Sequence, residues 1–225
     1  MKRRVAAIAV SMLAVGITVT APAAARAGAA IRVPIRTYTA QTSVYFRGIG
    51  SQQGWFTSQN YTQRVVLAPH VALSQKSVFD YGRNAHHRST QLYYIVGNHS
   101  YTKNGSGPWS VQQLSNSALR SAAQGLNPYQ AQKAFLTLPH VRHASSSHYL
   151  VTGDYAQLGR FLQWEFGLSK ASFGGTNLKV FTISFWDDSR GRPVKIAMSA
   201  KSSTFTITAV EVFSNYNKAL AITAP

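Results

Sequence analysis

The sequence offers few side chains that can do chemistry. Among 225 residues there are six acidic residues, seven histidines and no cysteine. Without cysteine there are no disulfides, no Cys-ligated zinc sites, no iron–sulfur clusters and no thiol nucleophiles. Six acids leave little material for a two-carboxylate hydrolase or an oxygen-ligand metal cage, although one pair would suffice for either. The composition therefore limits the possible chemistry more than it identifies one.

The histidines are the next candidates. His140, His143 and His148 lie within nine residues, and His86 and His87 are adjacent. Imidazoles at such spacing can bind zinc or copper. A basic residue and a run of three serines separate them, however, and no carboxylate lies between them. We therefore expect solvent-facing loop histidines, with no metal site and no cofactor.

Other motifs have ordinary structural interpretations. Residues 48–54 are similar to a phosphate-binding glycine loop, but the last spacing is wrong and no helix pattern follows, so a loop or bulged hairpin is expected. No G-x-S-x-G nucleophile elbow is present. Asp187 and Asp188 stand where a hairpin turn favours aspartate. The four tryptophans are expected to pack with one edge at the surface: Trp55, Trp109, Trp164 and Trp186. No catalytic residue is predicted.

The first 27 residues are typical of a signal peptide. Lys2 to Arg4 are basic, Val5 to Val19 are apolar, and Ala25-Arg26-Ala27 supplies the small–x–small cleavage pattern. We place cleavage before Gly28 and predict a single domain over residues 28–225. A membrane anchor is the alternative, but a span needs roughly 20 apolar residues. A twin-arginine export route is a second alternative.

The charge is strongly positive. Removing the predicted signal peptide takes away four basic residues and no acid, which lowers the formal net charge from +17 to +13. An exported protein of this charge does not meet nucleic acid as a normal partner, but it is attracted to anionic membranes and wall polymers. Dispersed charge for solubility is the alternative, because the basic residues are scattered. With no cysteine for acylation, we expect a secreted, extracytoplasmic protein of the cell envelope without a lipid anchor.

The pattern of elements predicts an α+β fold. Residues 31–110 contain short β-branched and aromatic segments separated by turn residues, which indicates strands. Residues 115–137 predict two helices, and Asp154 is placed to cap a third. From Phe181 to Ile207 apolar residues alternate with polar ones. This alternation predicts an antiparallel sheet with one covered face, against which the helices pack.

Several of these segments resemble a known family. Phe185 to Val194 form an aromatic strand followed by a D-x-x-G-x-P-V hairpin, and Phe213 to Tyr216 precede a closing segment. Tyr101 to Trp109 and His148 to Val151 also correspond in placement. Together they are similar to the LolA-like envelope carriers, specifically the LppX-type lipid-carrying lipoproteins of actinobacteria, over roughly residues 90–225. Two features depart from the family: the anchoring cysteine is missing, and so is the usual long amino-terminal helix.

The resemblance implies a strongly curved antiparallel β-sheet, or half-barrel, with helices on its concave face and an apolar cavity between them. Acyl chains are favourable guests there because burying each CH₂ is worth about 0.8 kcal/mol. The alternative is that the same side chains pack together as a solid core. The candidate lining residues are Phe135, Leu158, Phe161, Leu162, Phe181, Ile183, Phe185, Val194, Ile196, Met198, Phe205 and Ile207.

The resulting prediction is an exported, non-enzymatic, monomeric protein that holds a lipid, glycolipid or lipidated molecule. Two alternatives stay open at this point. One is an envelope sensor of the same fold that binds a signalling protein, and the other is a secreted hydrolase with an unrecognised Ser/His set.

Overall fold

The structure is a computed structural model that describes residues 33–83, 87–173 and 178–225. The predicted signal peptide and His86 lie outside the described residues. The strands are β1 (Thr37–Gly48), β2 (Trp55–Val66), β3 (Ala72–Arg83), β4 (His87–Val96), β5 (His99–Asn104), β6 (Ser110–Gln113), β7 (Arg142–Ser145), β8 (His148–Gly153), β9 (Phe181–Asp187), β10 (Pro193–Lys201) and β11 (Phe205–Ser214). The α-helices are α1 (Asn116–Gly125), α2 (Pro128–Leu136) and α3 (Tyr155–Phe166), and short 3₁₀ turns cover Gly50–Gln52 and Lys170–Phe173.

All the strands belong to one antiparallel sheet in the order β6-β5-β4-β3-β2-β1-β11-β10-β9-β8-β7. The central strand is β1, which pairs with β2 on one side and with β11 on the other. Strands β6 and β7 form the two rims, so the sheet is an open half-barrel. The predicted α+β architecture with a large curved antiparallel sheet is confirmed.

The hairpins follow the turn signals of the sequence. Residues 49–54, the glycine-rich segment, form a 3₁₀ connection between β1 and β2. Between β9 and β10, Asp188 Oδ1 accepts hydrogen bonds from the backbone N–H groups of Arg190 and Arg192, both at 2.9 Å. Burial opposes ionisation of Asp188, but these bonds and the Arg192 guanidinium outweigh it and hold the pKa of this carboxyl below its usual value. Asp188 therefore stabilises the turn, as predicted.

The helices begin and end at residues suited to those positions. The side chain of Ser115 caps α1, and Pro128 starts α2 after an Asn127 cap. Asp154 and Gln157 form a reciprocal capping box at the start of α3, with hydrogen bonds of 2.9 and 3.1 Å. The helix ends at Gly167, whose φ of 66° is the left-handed conformation that favours glycine.

The core lies between the helices and the concave face of β9, β10, β11 and β1. Phe135 of α2 stacks on Phe185 of β9 with ring centroids 5.2 Å apart and contacts Phe161 of α3 at 5.7 Å. Phe173, from the 3₁₀ turn after α3, packs on Phe181 at 5.0 Å and on Phe46 of β1 at 6.2 Å. These aromatic contacts fix the helical layer over the carboxyl-terminal half of the sheet.

Candidate ligand-binding site

The concave face has an apolar half and a polar half. The strand register places one row of side chains across seven strands of this face. The row runs through Asn104, Gln91, Ser77, Tyr61, Thr42, Glu211 and Ile196. Polar residues dominate on β2 to β5, and apolar residues dominate on β9 to β11. Strand β1 lies at the seam between the two halves.

Hydrogen bonds between side chains satisfy much of the polar half. Gln63 Nε2 donates to Gln75 Oε1 at 2.8 Å, and Gln75 Nε2 donates to the Ser77 hydroxyl at 2.9 Å. Further out, Gln91 Nε2 donates to Asn104 Oδ1 at 2.9 Å. Gln75 and Ser77 are buried, and buried polar groups are stable only when they are paired in this way. The polar half is therefore an ordered part of the interior.

A cavity of about 40 Å³ lies at the seam. Val44 and Phe46 line it from β1, Gln59 lines it from β2, and Leu168 and Ser172 line it from the segment after α3. Gln59 is only 8% exposed, and its buried Nε2 has no hydrogen-bond partner among the described residues. An unpaired buried donor costs about 1–3 kcal/mol. The cavity thus combines an apolar wall with a donor that is available to an acceptor.

Two of the six acidic residues meet inside the molecule. Glu211 of β11 points to the concave face, and its Oε1 accepts a hydrogen bond from the Thr42 hydroxyl at 3.2 Å. Glu165 of α3 reaches the same place, and the two carboxyl groups hydrogen-bond to each other. The residue Glu165 is half-buried, but its Oε1 is fully enclosed. This carboxyl pair connects α3 to the sheet one row away from Gln59, since Thr42 and Val44 are successive concave-face residues of β1.

Burial decides the ionisation of the carboxyl pair. It raises the pKa of Glu165 well above the usual 4.5, and the neighbouring Glu211 raises it further. Burial also raises the pKa of Glu211, although the hydrogen bonds from Glu165 and Thr42 oppose this. Two carboxylates in contact cannot both ionise readily, so the pair retains a proton. Burial raises the pKa of Tyr61 beside the pair, and Glu211 raises it further.

Ten of the twelve predicted lining residues form one solid layer. These ten are at most 3% exposed, and only Val194 and Phe205 are half-buried. The structure brings them together between α2, α3 and strands β9 to β11, but none of the twelve lines the seam cavity. Their role toward a ligand therefore stays a prediction.

Two histidines, His143 of β7 and His148 of β8, pack against aromatic rings. The ring of His148 stacks on Trp186 with centroids 4.5 Å apart and planes 7° apart, and Lys195 Nζ lies 4.7 Å from the same indole. His143 packs on Tyr149 at 4.6 Å. Among the described residues, no group of three or more potential metal ligands converges. Within the same ranges, no helix is both long and apolar enough to cross a membrane.

Three residues of the site were missed by the motif search: Gln59, Glu165 and Glu211. Two of them, Glu165 and Glu211, have a periodicity signal. Glu165 follows Leu162 by three positions and Phe161 by four, which puts it on the buried face of α3. Glu211 alternates with Ala209 and Phe213 on the buried face of β11. Gln59 has no such apolar context, and only its pairing with Val44 reveals its place.

No protein-family model matches the chain, and neither does any of the curated proteins compared with it. Solved structures similar to it include LprF from Mycobacterium bovis, with a TM-score of 0.40 and 12% identity over 85% of this chain and 90% of that one. The lipoprotein LppX from Mycobacterium tuberculosis has a TM-score of 0.38 and 11% identity over 82% and 89%. A β-barrel-like protein from Brucella abortus has a TM-score of 0.32 and 8% identity over 82% and 100%. The motifs resemble those of LppX-type proteins, and LppX is among these similar structures; the likeness concerns the fold alone.

Proposed function

We propose that this chain is an exported, non-enzymatic protein that binds a lipid or lipidated molecule between the concave face of its sheet and its helices. The apolar half of that face supports this proposal, because it is a layer of apolar side chains that the helices cover. The polar half supports an amphipathic guest over a plain hydrocarbon. Binding and release of such a guest require no reacting group.

The observation that carries the proposal is the unpaired amide of Gln59 at the seam. Its cavity is walled by Val44 and Phe46, so an acyl chain entering there lies against apolar side chains. A carbonyl oxygen of an ester or amide in the same molecule then accepts the hydrogen bond that Gln59 Nε2 offers. Burial of the acyl chain stabilises the complex, and the new hydrogen bond removes the free-energy cost of the unpaired donor.

Uptake of a lipid requires the helical layer to move. The seam cavity of about 40 Å³ is far below the roughly 300 Å³ at which ligand pockets begin. Because β9 to β11 are held by their backbone ladders, the more movable partner is α3 with its following 3₁₀ turn. In this proposal the ligand displaces that layer and takes its place against the sheet.

The test begins with mass spectrometry of organic extracts from the purified protein. The delipidated protein is then titrated with a fluorescent fatty-acyl ester. We expect Gln59→Met to weaken binding roughly three- to tenfold, because it removes one hydrogen bond and keeps the apolar volume. Gln41→Met, on the exposed outer face of β1, is the matched control and should bind as the wild type does. Protein that yields no lipid and binds none after delipidation would rule the proposal out.

A further inference from the structure

A second pocket, of about 260 Å³, lies on another part of the molecule. It is formed where the segment after β11 passes across the beginning of β1 and the end of β2. Its polar lining residues are Thr39, Arg64, Asn215 and Lys218, and Tyr38 and Leu220 also line it. The seam cavity shares none of these residues.

Hydrogen bonds hold the segment after β11 in place. Asn215 and Asn217 have φ values of 55° and 58°, left-handed conformations that asparagine tolerates and that turn the chain back toward β1. Asn217 Oδ1 accepts from the Arg36 N–H at 2.7 Å, and Asn217 Nδ2 donates to the Pro34 carbonyl at 2.9 Å. The Thr37 hydroxyl donates to the Lys218 carbonyl at 2.7 Å. The pocket wall is therefore built before any ligand arrives.

The two cations at this pocket have no carboxylate partner among the described residues. The ion pairs between described side chains join Arg88 to Asp80 and Arg192 to Asp188. Neither pair involves a residue of this pocket. Arg64 Nη2 donates to the backbone carbonyl of Ala221 at 3.3 Å, which orients the guanidinium and leaves its other N–H groups available. Asn215 Nδ2 uses one of its two N–H groups on the Thr39 hydroxyl at 3.0 Å. The pocket thus gathers positive charge and spare donors without an opposing anion.

We infer that this pocket binds a phosphate group, either as a free ion or as the headgroup of an anionic lipid. An arginine fork matches phosphate geometry, and lysine adds a mobile point charge. The donors come from Arg64 of β2 and from Asn215 and Lys218 of the segment after β11, so they suit an anion with more than two acceptor oxygens. A volume of about 260 Å³ is slightly below the roughly 300 Å³ at which ligand pockets begin, and it fits a small group. The inference does not depend on lipid binding at the seam.

The test is calorimetric titration with inorganic phosphate at constant ionic strength, together with flotation of vesicles made of phosphatidylglycerol or of phosphatidylcholine alone. We expect Arg64→Ala and Lys218→Ala each to weaken phosphate binding about tenfold, the loss of one charge-assisted hydrogen bond. The matched controls are Arg160→Ala and Lys201→Ala, which remove the same charges from exposed positions elsewhere. A thermal melt of every variant, and Arg64→Gln as a milder change, separate loss of binding from loss of folding.

The outcomes distinguish the sources of the phosphate. If Arg64→Ala and Lys218→Ala weaken binding of phosphate but not of anionic vesicles, the ligand is the free ion. If they weaken binding of both, the ligand is a lipid headgroup. Either result supports the site. Equal effects of all four alanine variants would show that binding follows overall charge and would overturn it. Failure of the wild-type protein to bind phosphate would overturn it as well.

Discussion

The carboxyl pair is the most unusual pair of residues in the molecule. The chain has only six acids and an excess of basic residues, yet Glu165 and Glu211 meet in the interior, and no cation among the described residues pairs with them. Burying two ionised carboxylates together is prohibitively costly, so at least one is neutral and donates a hydrogen bond to the other. The contact between α3 and the sheet is consequently tied to a proton.

This proton predicts how stability depends on pH. Both carboxyls have pKa values raised above 4.5 in the folded state, so the folded protein binds more protons than the unfolded chain. The contribution of the pair to the free energy of unfolding should therefore be fully present below the unfolded pKa and be lost as pH rises through the raised values, by up to about 1.4 kcal/mol per pH unit for each carboxyl. Urea unfolding between about pH 5 and about pH 9 measures this slope.

The variant Glu165→Gln/Glu211→Gln should flatten that slope, because its amides do not titrate. Asp80→Asn, which changes an acid on the opposite face of the sheet, should keep the wild-type slope. An unchanged slope in the double variant would refute the assignment of the proton to this pair.

We expect replacement of Gln59 to raise the stability of the protein and to lower its affinity for the lipid. Replacing its buried, unpaired amide with the similarly sized methionine should raise the free energy of unfolding by about 1 kcal/mol in the delipidated protein. The same variant is expected to bind the acyl ester less well. Chemical denaturation with and without ligand measures both effects. A variant that loses stability and keeps its affinity would show that Gln59 has a structural partner.

At the scale of elements, the helices and strands that could be predicted from the sequence are the ones whose buried face is apolar. The α3 pattern of Leu158, Phe161, Leu162 and Phe166 and the alternation in β9 to β11 both correspond to the structure. Strands β2 and β3 left a weaker signal, because their inward positions are polar and period-two hydrophobicity does not register there. Gln75 looks like a surface residue in the sequence, and only the curvature and cover of the sheet bury it.

The cap of α3 gives a prediction for this element. Asp154→Ala removes the hydrogen bond to the Gln157 N–H and should lower the free energy of unfolding by about 1 kcal/mol. Asp154→Ser keeps a capping oxygen and should cost much less, which makes it the matched control. Urea denaturation at a fixed pH compares them. Equal losses in both variants would mean that the charge of Asp154, and not its cap, stabilises the helix.

At the scale of the whole molecule, the sequence could not predict which strands far apart in the chain are neighbours. The seam exists because β1 joins β2 and β11, and this pairing brings Thr42 beside both Tyr61 and Glu211. Local patterns carry no information about a register that joins residues so far apart in the chain. For the same reason the predicted lining residues were found in the apolar half only, while the seam and the pocket near Arg64 depend on pairing across the sheet.

Movement of the helical layer is the prediction at this scale. Spin labels on Gln163→Cys in α3 and Thr208→Cys on the outer face of β11 report the distance between helix and sheet, and the chain has no native cysteine to interfere. Binding of the acyl ester should lengthen this distance. A pair within the sheet, Thr62→Cys with Thr208→Cys, should show no change. An unaltered helix-to-sheet distance in the saturated protein would place the lipid elsewhere.

The pairing of β1 with β11 has a consequence for biosynthesis. Thr39 and Ser214 are bonded neighbours separated by 175 positions. In a nascent chain emerging from the ribosome or a translocation channel, one edge of β1 therefore stays unpaired until β11, close to the end of the chain, has been synthesised. Such an arrangement requires either that a chaperone protects this edge or that the protein folds only after export.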